Sequence, residues 1–321
     1  MKHRSILVPA TLLFLLICAS LLPASGLYAE SPAPLRFAFQ DRIGSVIPIV
    51  ADTMGYFKEA GVDVEVLRFS SGPACAEALY TGAADMAGMG DTAAIIAVSR
   101  SSKFSIVASH AAGEHRHRIM MRKGAPFTSL KDLKGKKIAV KKGTSTYGGL
   151  LGALKAAGMS TADVQIIDLT PPAMTEALLA GSVDAFAASE PTPSAAEQKG
   201  AQQLATLGGQ GNEYPILMVA NDNYATKHRD EVVRLMQALK KAEEYTAAHP
   251  AETAAIMAAQ TGLTEPTARK AMSLHSYNLK LDDQIRRSLE TIALFLQEQG
   301  IIKQVPDMNK AIRPEFIEAV R

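Results

Sequence analysis

Through the first two thirds of the chain, short apolar or alternating runs are each followed by a polar turn and a stretch of helical period. Leu35–Gln40 predicts a strand, and a helix-like stretch then ends at Ala60-Gly61. Val62–Phe69 alternates, as a strand with two unlike faces should. The turn Ser70–Pro73 opens a second helix. Downstream the same order returns. Lys137–Val140 predicts a strand, Lys141–Thr146 a turn, and a helix ends near Ala157-Gly158. Val164–Leu169 predicts another strand, and Thr170–Pro172 opens another helix. Gly61, Gly82, Gly158 and Gly181 stand where these helices should stop.

The recurrence extends to the letters. Glu77-Ala78-Leu79, followed by Gly82 and Asp85, matches Glu176-Ala177-Leu178, followed by Gly181 and Asp184, at an offset of 99 residues. The same offset pairs Pro73 with Pro172 and Ser71 with Thr170. One helix with a glycine stop would explain one copy, but not the same elements in the same order on both sides. Each half reads β-α-β-α-β, so the fold class expected is α/β, with two similar lobes built on mainly parallel sheets. Tyr214–Ala220 predicts a strand returning to the first lobe. Beyond Thr226 the pattern turns helical, through Ala251–Gln260, Glu265–Leu274 and Asp282–Gln299, and reads as packing and bracing.

The beginning of the chain has a different pattern. Lys2, His3 and Arg4 precede an apolar run from Ile6 to Leu22, and small residues follow at Ala24-Ser25-Gly26 and Ala29. That order predicts a secretory signal peptide over residues 1–29 and a periplasmic address. The lobes are then expected at 30–118 with 219–321, and at 119–218. Losing the signal removes Lys2 and Arg4 and no acid, which takes the formal charge from +2 to 0. Nothing basic remains to suggest nucleic acid or an anionic membrane surface. Cys18 leaves with the signal, so Cys75 has no partner for an internal disulfide and reads as a small buried apolar residue. Trp is absent and aromatics make up only 6%, which argues against a broad aromatic binding surface.

In open parallel sheets, ligands collect beyond the carboxyl ends of the strands. Three loops per lobe qualify. The first lobe offers Gln40, Asp41 and Arg42, then Ser71 and Gly72, then Asp91 and Thr92. The second offers Gly143, Thr144, Ser145 and Thr146, then Thr170–Pro172, then Glu190. Most run straight into a helix, whose free N–H groups and dipole suit an anion. Thr144–Thr146 could equally be an N-cap. Asp91 and Glu190 hold corresponding places and could together take an amino group, or act as caps. Asp41 and Arg42 could pair with each other or with ligand. His115-Arg116-His117-Arg118 reads as a basic loop near the interlobe crossover, with Arg116 able to reach an acidic ligand group. Two histidines alone do not make a metal site, so no metal and no cofactor are expected. No Ser-His-Asp, Cys-His, phosphate-loop or zinc spacing is present, and an enzyme is not expected.

Met54-Gly55-Tyr56-Phe57-Lys58-Glu59-Ala60-Gly61-Val62-Asp63-Val64 resembles the G-Y-F-x-x-x-G-x-x-V signature of binding proteins for aliphatic sulfonates, taurine, nitrate and thiamine-pyrimidine precursors. Ser129–Val140, Gly143-Thr144-Ser145 and Ser189-Glu190-Pro191 resemble the same group in order. The resemblance implies a type II periplasmic binding-protein fold with two crossover strands. It implies a monomer that captures a small molecule by hinge closure and hands it to the permease and ATPase of an ABC importer. It places ligand contacts around Gln40, Ser71, Asp91, Thr144–Thr146 and Glu190. The cargo expected is a small sulfonate, a taurine-like zwitterion or another small oxyanion. The alternatives are a thiamine-precursor pyrimidine, an enzyme on the same fold, or a sensing subunit.

Overall fold

Two five-stranded sheets of identical layout organise the chain. In this computed structural model, which describes residues 33–209 and 211–320, everything from Pro34 onward forms one unit. The predicted signal segment and Cys18 lie outside the described residues.

The first sheet contains β1 (Leu35–Gln40), β2 (Val64–Phe69), β3 (Met86–Gly90), β4 (Phe104–Ala111) and a late strand, β10 (Ile216–Asn221). The second contains β5 (His117–Arg122), β6 (Lys137–Val140), β7 (Gln165–Asp168), β8 (Ala185–Ser189) and β9 (Ala201–Thr206). Their orders are β2-β1-β3-β10-β4 and β7-β6-β8-β5-β9. In each, three parallel strands are followed by one antiparallel strand that arrives from the other lobe. That inserted strand is β10 in the first sheet and β5 in the second. The chain is therefore the predicted pair of similar α/β lobes joined by two crossovers. The apolar run at Tyr214–Ala220 becomes β10, and β4 and β9 complete each sheet beyond the repeat.

Burial follows the strand period. In the second sheet Ile119 and Met121, Ile138 and Val140, and Ala185 and Ala187 join one core, while Met120, Ala139, Phe186 and Ala188 join another on the opposite face. Both faces are covered by helices, which is why these strands read as apolar throughout. The last third braces the first lobe. Helix Asp283–Glu298 buries Ile285, Leu289, Ile292 and Leu296, one stripe at helical spacing, against the first sheet's core. Each such side chain contributes about 1.5–3 kcal/mol of hydrophobic stabilisation. The same helix reaches the second lobe through Glu298, which accepts from Lys155 at 2.7 Å.

The crossovers are tied to each other. Gly113 N donates to Glu213 O at 2.7 Å. Glu114 Oε1 accepts from the backbone N–H groups of Gly209 and Gly211 at 2.7 and 2.9 Å. A carboxylate on the first crossover thus organises a glycine-rich turn on the second, and hydrogen bonds hold the two together.

Candidate functional site

The carboxyl ends of β1 and β3 face the start of helix Ser145–Ala156 across the interlobe cleft. Gly90 shows how close the approach is: a Cβ there would stand 2.2 Å from Ser145 Oγ. Gly143 takes a left-handed φ of 76°, which turns the chain from β6 into that helix at a conformation suited to glycine. Thr144 is the helix N-cap. Its hydroxyl donates to Lys141 O and accepts from Tyr147 N. The cavity enclosed at this point is about 10 Å³, room for about one water.

This cavity is polar and cationic. Gln40, Arg42 and Gly72 line it from the first lobe, Thr144, Ser145 and Thr146 from the second, and Arg116 and His117 from the crossover. Arg42 and Arg116 are both buried. Burial lowers each guanidinium to about 10, so both stay charged at neutral pH. Among the described residues Arg42 makes a single long side-chain hydrogen bond, 3.3 Å, to Ser70 O. Arg116 donates to Ser189 Oγ at 2.9 Å and to Tyr214 O at 2.8 Å, and so touches the second lobe and the second crossover at once. Its Nε has no hydrogen-bond partner among the described residues.

Asp91 is the carboxylate whose charge favours Arg116. Burial pushes its own carboxyl up, against the pull of Ser145 and Arg116. Ser145 lies beside it, yet neither Asp91 Oδ2 nor Ser145 Oγ makes a hydrogen bond of normal geometry among the described residues. Buried polar atoms are nearly always paired, and a cluster of orphans around one cavity marks a place shaped for another molecule. Two guanidiniums against one carboxylate leave the cavity short of negative charge, a costly arrangement when buried.

The remaining sequence candidates fall elsewhere. Asp41 is exposed and accepts from Arg68 and Gln260, both at 3.2 Å. Ser71 is buried as the N-cap residue of helix Gly72–Tyr80. Thr92 is buried against helix Ser145–Ala156, where a Cβ at Gly148 would stand 3.0 Å from its Oγ1. Glu190 is wholly buried, but Arg118 holds it at 2.6 Å and Ser194 N donates to its other oxygen. Arg118 also donates to Glu197 at 2.7 Å. Glu190 therefore belongs to an ion-pair network inside the second lobe. The His115–Arg118 segment divides: Glu114–Arg116 is a 3-10 turn with His115 exposed, and His117 begins β5 as a buried residue. No group of three or more metal-ligating side chains occurs among the described residues.

Reading the sequence loop by loop missed His117, His110 and His275. His110 is fully buried in β4, and neither ring nitrogen has a partner among the described residues. His275, half-buried, comes from the helical last third, and its Nε2 lies 3.7 Å from where a Cβ on Gly44 would be. Burial lowers His110 and His275 to about 3, helped by the charge of Arg116. Cys75, buried in helix Gly72–Tyr80, has its thiol pushed up to about 12, the opposite of an activated nucleophile.

Among known proteins, the chain is 29% identical over 239 residues to an aliphatic sulfonates-binding protein of Escherichia coli (strain K12), covering 74% of each chain. It is 23% identical to the taurine-binding periplasmic protein of the same organism, covering 96% of this chain and 97% of that one. The solved alkanesulfonate-binding protein of Xanthomonas axonopodis pv. citri, bound to MOPS, superposes with a TM-score of 0.82 at 24% identity, over 89% of this chain and 99% of that one. The same fold carries a desulfurization enzyme, at a TM-score of 0.70 and 15% identity, over 89% of this chain and 98% of that one. The NMT1/THI5-like family matches residues 45–253, which hold the Ser71–Gly72 and Asp91–Thr92 loops of the first sheet, both crossovers and the whole second sheet, and the chain belongs to that family.

Proposed function

We propose that this protein is an exported solute-binding protein that captures a small sulfonate, a taurine-like zwitterion or another small oxyanion, and presents it to the permease and ATPase of an ABC importer. The observation that carries the reading is the cavity between the lobes. It brings two buried guanidiniums, one of them with an unpaired Nε, to one point with a single nearby carboxylate. A sulfonate supplies three acceptor oxygens and a permanent charge, which is what these donors lack. Hinge motion about the paired crossovers admits the ligand, and closure buries it without any chemistry on it. The signal-like first 29 residues and the periplasmic relative support export to the periplasm as the place of work.

In this reading the ligand contacts are Gln40, Arg42, Gly72, Arg116 and Thr144–Thr146, with Asp91 behind them tuning the charge. Glu190 holds the second lobe together. The lobes divide the mature chain at the crossovers, and the protein acts as a monomer. The test is a thermal-shift and calorimetric panel of ethanesulfonate, taurine, sulfate, nitrate and an aminopyrimidine with the mature protein. Stabilisation by one or more of the oxyanions is the expected outcome. Stabilisation by the aminopyrimidine alone would replace this reading with the thiamine-precursor one.

A further inference from the structure

His117 was not among the loops that family resemblance points to, and it enters the cavity from the crossover instead. Its ring is buried, and Nδ1 sits 2.7 Å from Thr146 Oγ1, on the first turn of the second lobe's helix. The ring also packs against Tyr214 in a T-shaped contact, 4.5 Å between centroids. Nε2 has no hydrogen-bond partner among the described residues.

The hydrogen-bond count decides which nitrogen carries the proton. If Nδ1 were protonated, it would donate to Thr146, and two orphans would remain. One is the buried Thr146 hydroxyl proton, for which Nδ1 is the acceptor the structure provides. The other is a bare Nε2. If Nε2 is protonated, the Thr146 hydroxyl donates to Nδ1 and only Nε2–H remains to be used. The ring is also held neutral, because burial beside Arg116, Arg42 and His275 pushes it well below the ordinary histidine range.

We propose that His117 is a ligand-reading residue, whose Nε2–H, fixed in that tautomer by Thr146, donates to an oxygen of the bound oxyanion. This rests on the oxyanion reading above and adds a specificity element to it. A neutral donor favours an acceptor oxygen without adding to the positive charge of the two guanidiniums. It also ties the ligand to the second lobe, since Thr146 lies on that lobe's helix and His117 at the start of β5.

The tautomer can be read without any ligand. Nitrogen-15 NMR of the ring in the mature protein at pH 7 should show a neutral His117 protonated at Nε2. An Nδ1–H or charged ring would overturn the proposal. Binding supplies the second arm, with taurine and ethanesulfonate as probes. His117→Gln places an amide donor near the position of Nε2 and should bind within about threefold of wild type. His117→Leu removes the donor and should weaken binding about 10- to 100-fold, the range of one hydrogen bond to a charged group. The melting temperature of each unliganded variant separates this from a packing defect, which would lower it in both. Equal binding by wild type and His117→Leu would also overturn the proposal. If neither anion binds wild type, the oxyanion reading fails on its own, and the NMR result alone decides whether His117 presents a donor to the cavity.

Discussion

Asp91 and Glu190 hold equivalent places in the two lobes, each after the third parallel strand, yet they have different work. Glu190 is satisfied by Arg118 at 2.6 Å and by Ser194, all within the second lobe. Asp91 keeps an unpaired oxygen at the interlobe boundary, where it opposes part of the charge of Arg116. The sequence repeat placed both acids correctly but could not say which one a partner inside its own lobe would claim. Duplicated architecture gives equivalent backbone positions. The side chains that later pack around each position decide whether it supports the fold or the cleft.

The largest effect expected of a single substitution comes from breaking the satisfied member. Glu190→Gln leaves the buried Arg118 with Glu197 as its remaining carboxylate, and should cost about 3 kcal/mol of unfolding free energy. Chemical denaturation measures this, and a loss under about 1 kcal/mol would show that Glu190 is not a structural ion-pair partner. Acid comes next. His110 and His275 sit at about 3 in the folded protein, below their ordinary value of about 6.5. Between these values the unfolded chain binds more protons, so stability is full above about pH 6.5 and falls as pH drops toward 3. Unfolding followed at pH 7 and pH 5 should differ by about 2–4 kcal/mol from these two rings, the lower figure if the half-buried His275 ring is partly hydrated, and His117, also held neutral, adds to the loss. Asp91→Asn should have a smaller effect on stability, about 1–2 kcal/mol, because relief of its own burial penalty partly offsets the loss of the carboxylate opposing Arg116. It should also act on binding: ethanesulfonate should bind about tenfold tighter once the carboxylate facing Arg116 is neutral. Taurine, with an ammonium group, should gain less or lose.

Much of the fold was legible because burial follows simple periods. Leu35–Gln40 and Lys137–Val140 are strands at the predicted bounds, and the 99-residue repeat foretold the common layout of the two sheets. Arg42 and Thr144–Thr146, from strand-end loops, and Arg116, from the basic segment at the crossover, line one cavity in the structure. What the sequence did not reveal depends on contacts between distant segments. The pairing of Arg118 with Glu190 spans 72 residues. His117 looked like part of a basic loop because its neighbours are charged, whereas the crossover turns it inward at the first residue of β5. His275 lies in a region whose helical pattern announced only packing.

The central claim is that the two buried guanidiniums await an anion. It is tested most directly by titrating ethanesulfonate calorimetrically into the mature wild type and Arg42→Met. Arg42 donates to one backbone carbonyl at 3.3 Å, so its loss should spare the fold. The account predicts single-site binding to wild type and a loss of about 100-fold in the variant, the scale of one charge-assisted contact in a buried site. Equal affinity in the two proteins would contradict it.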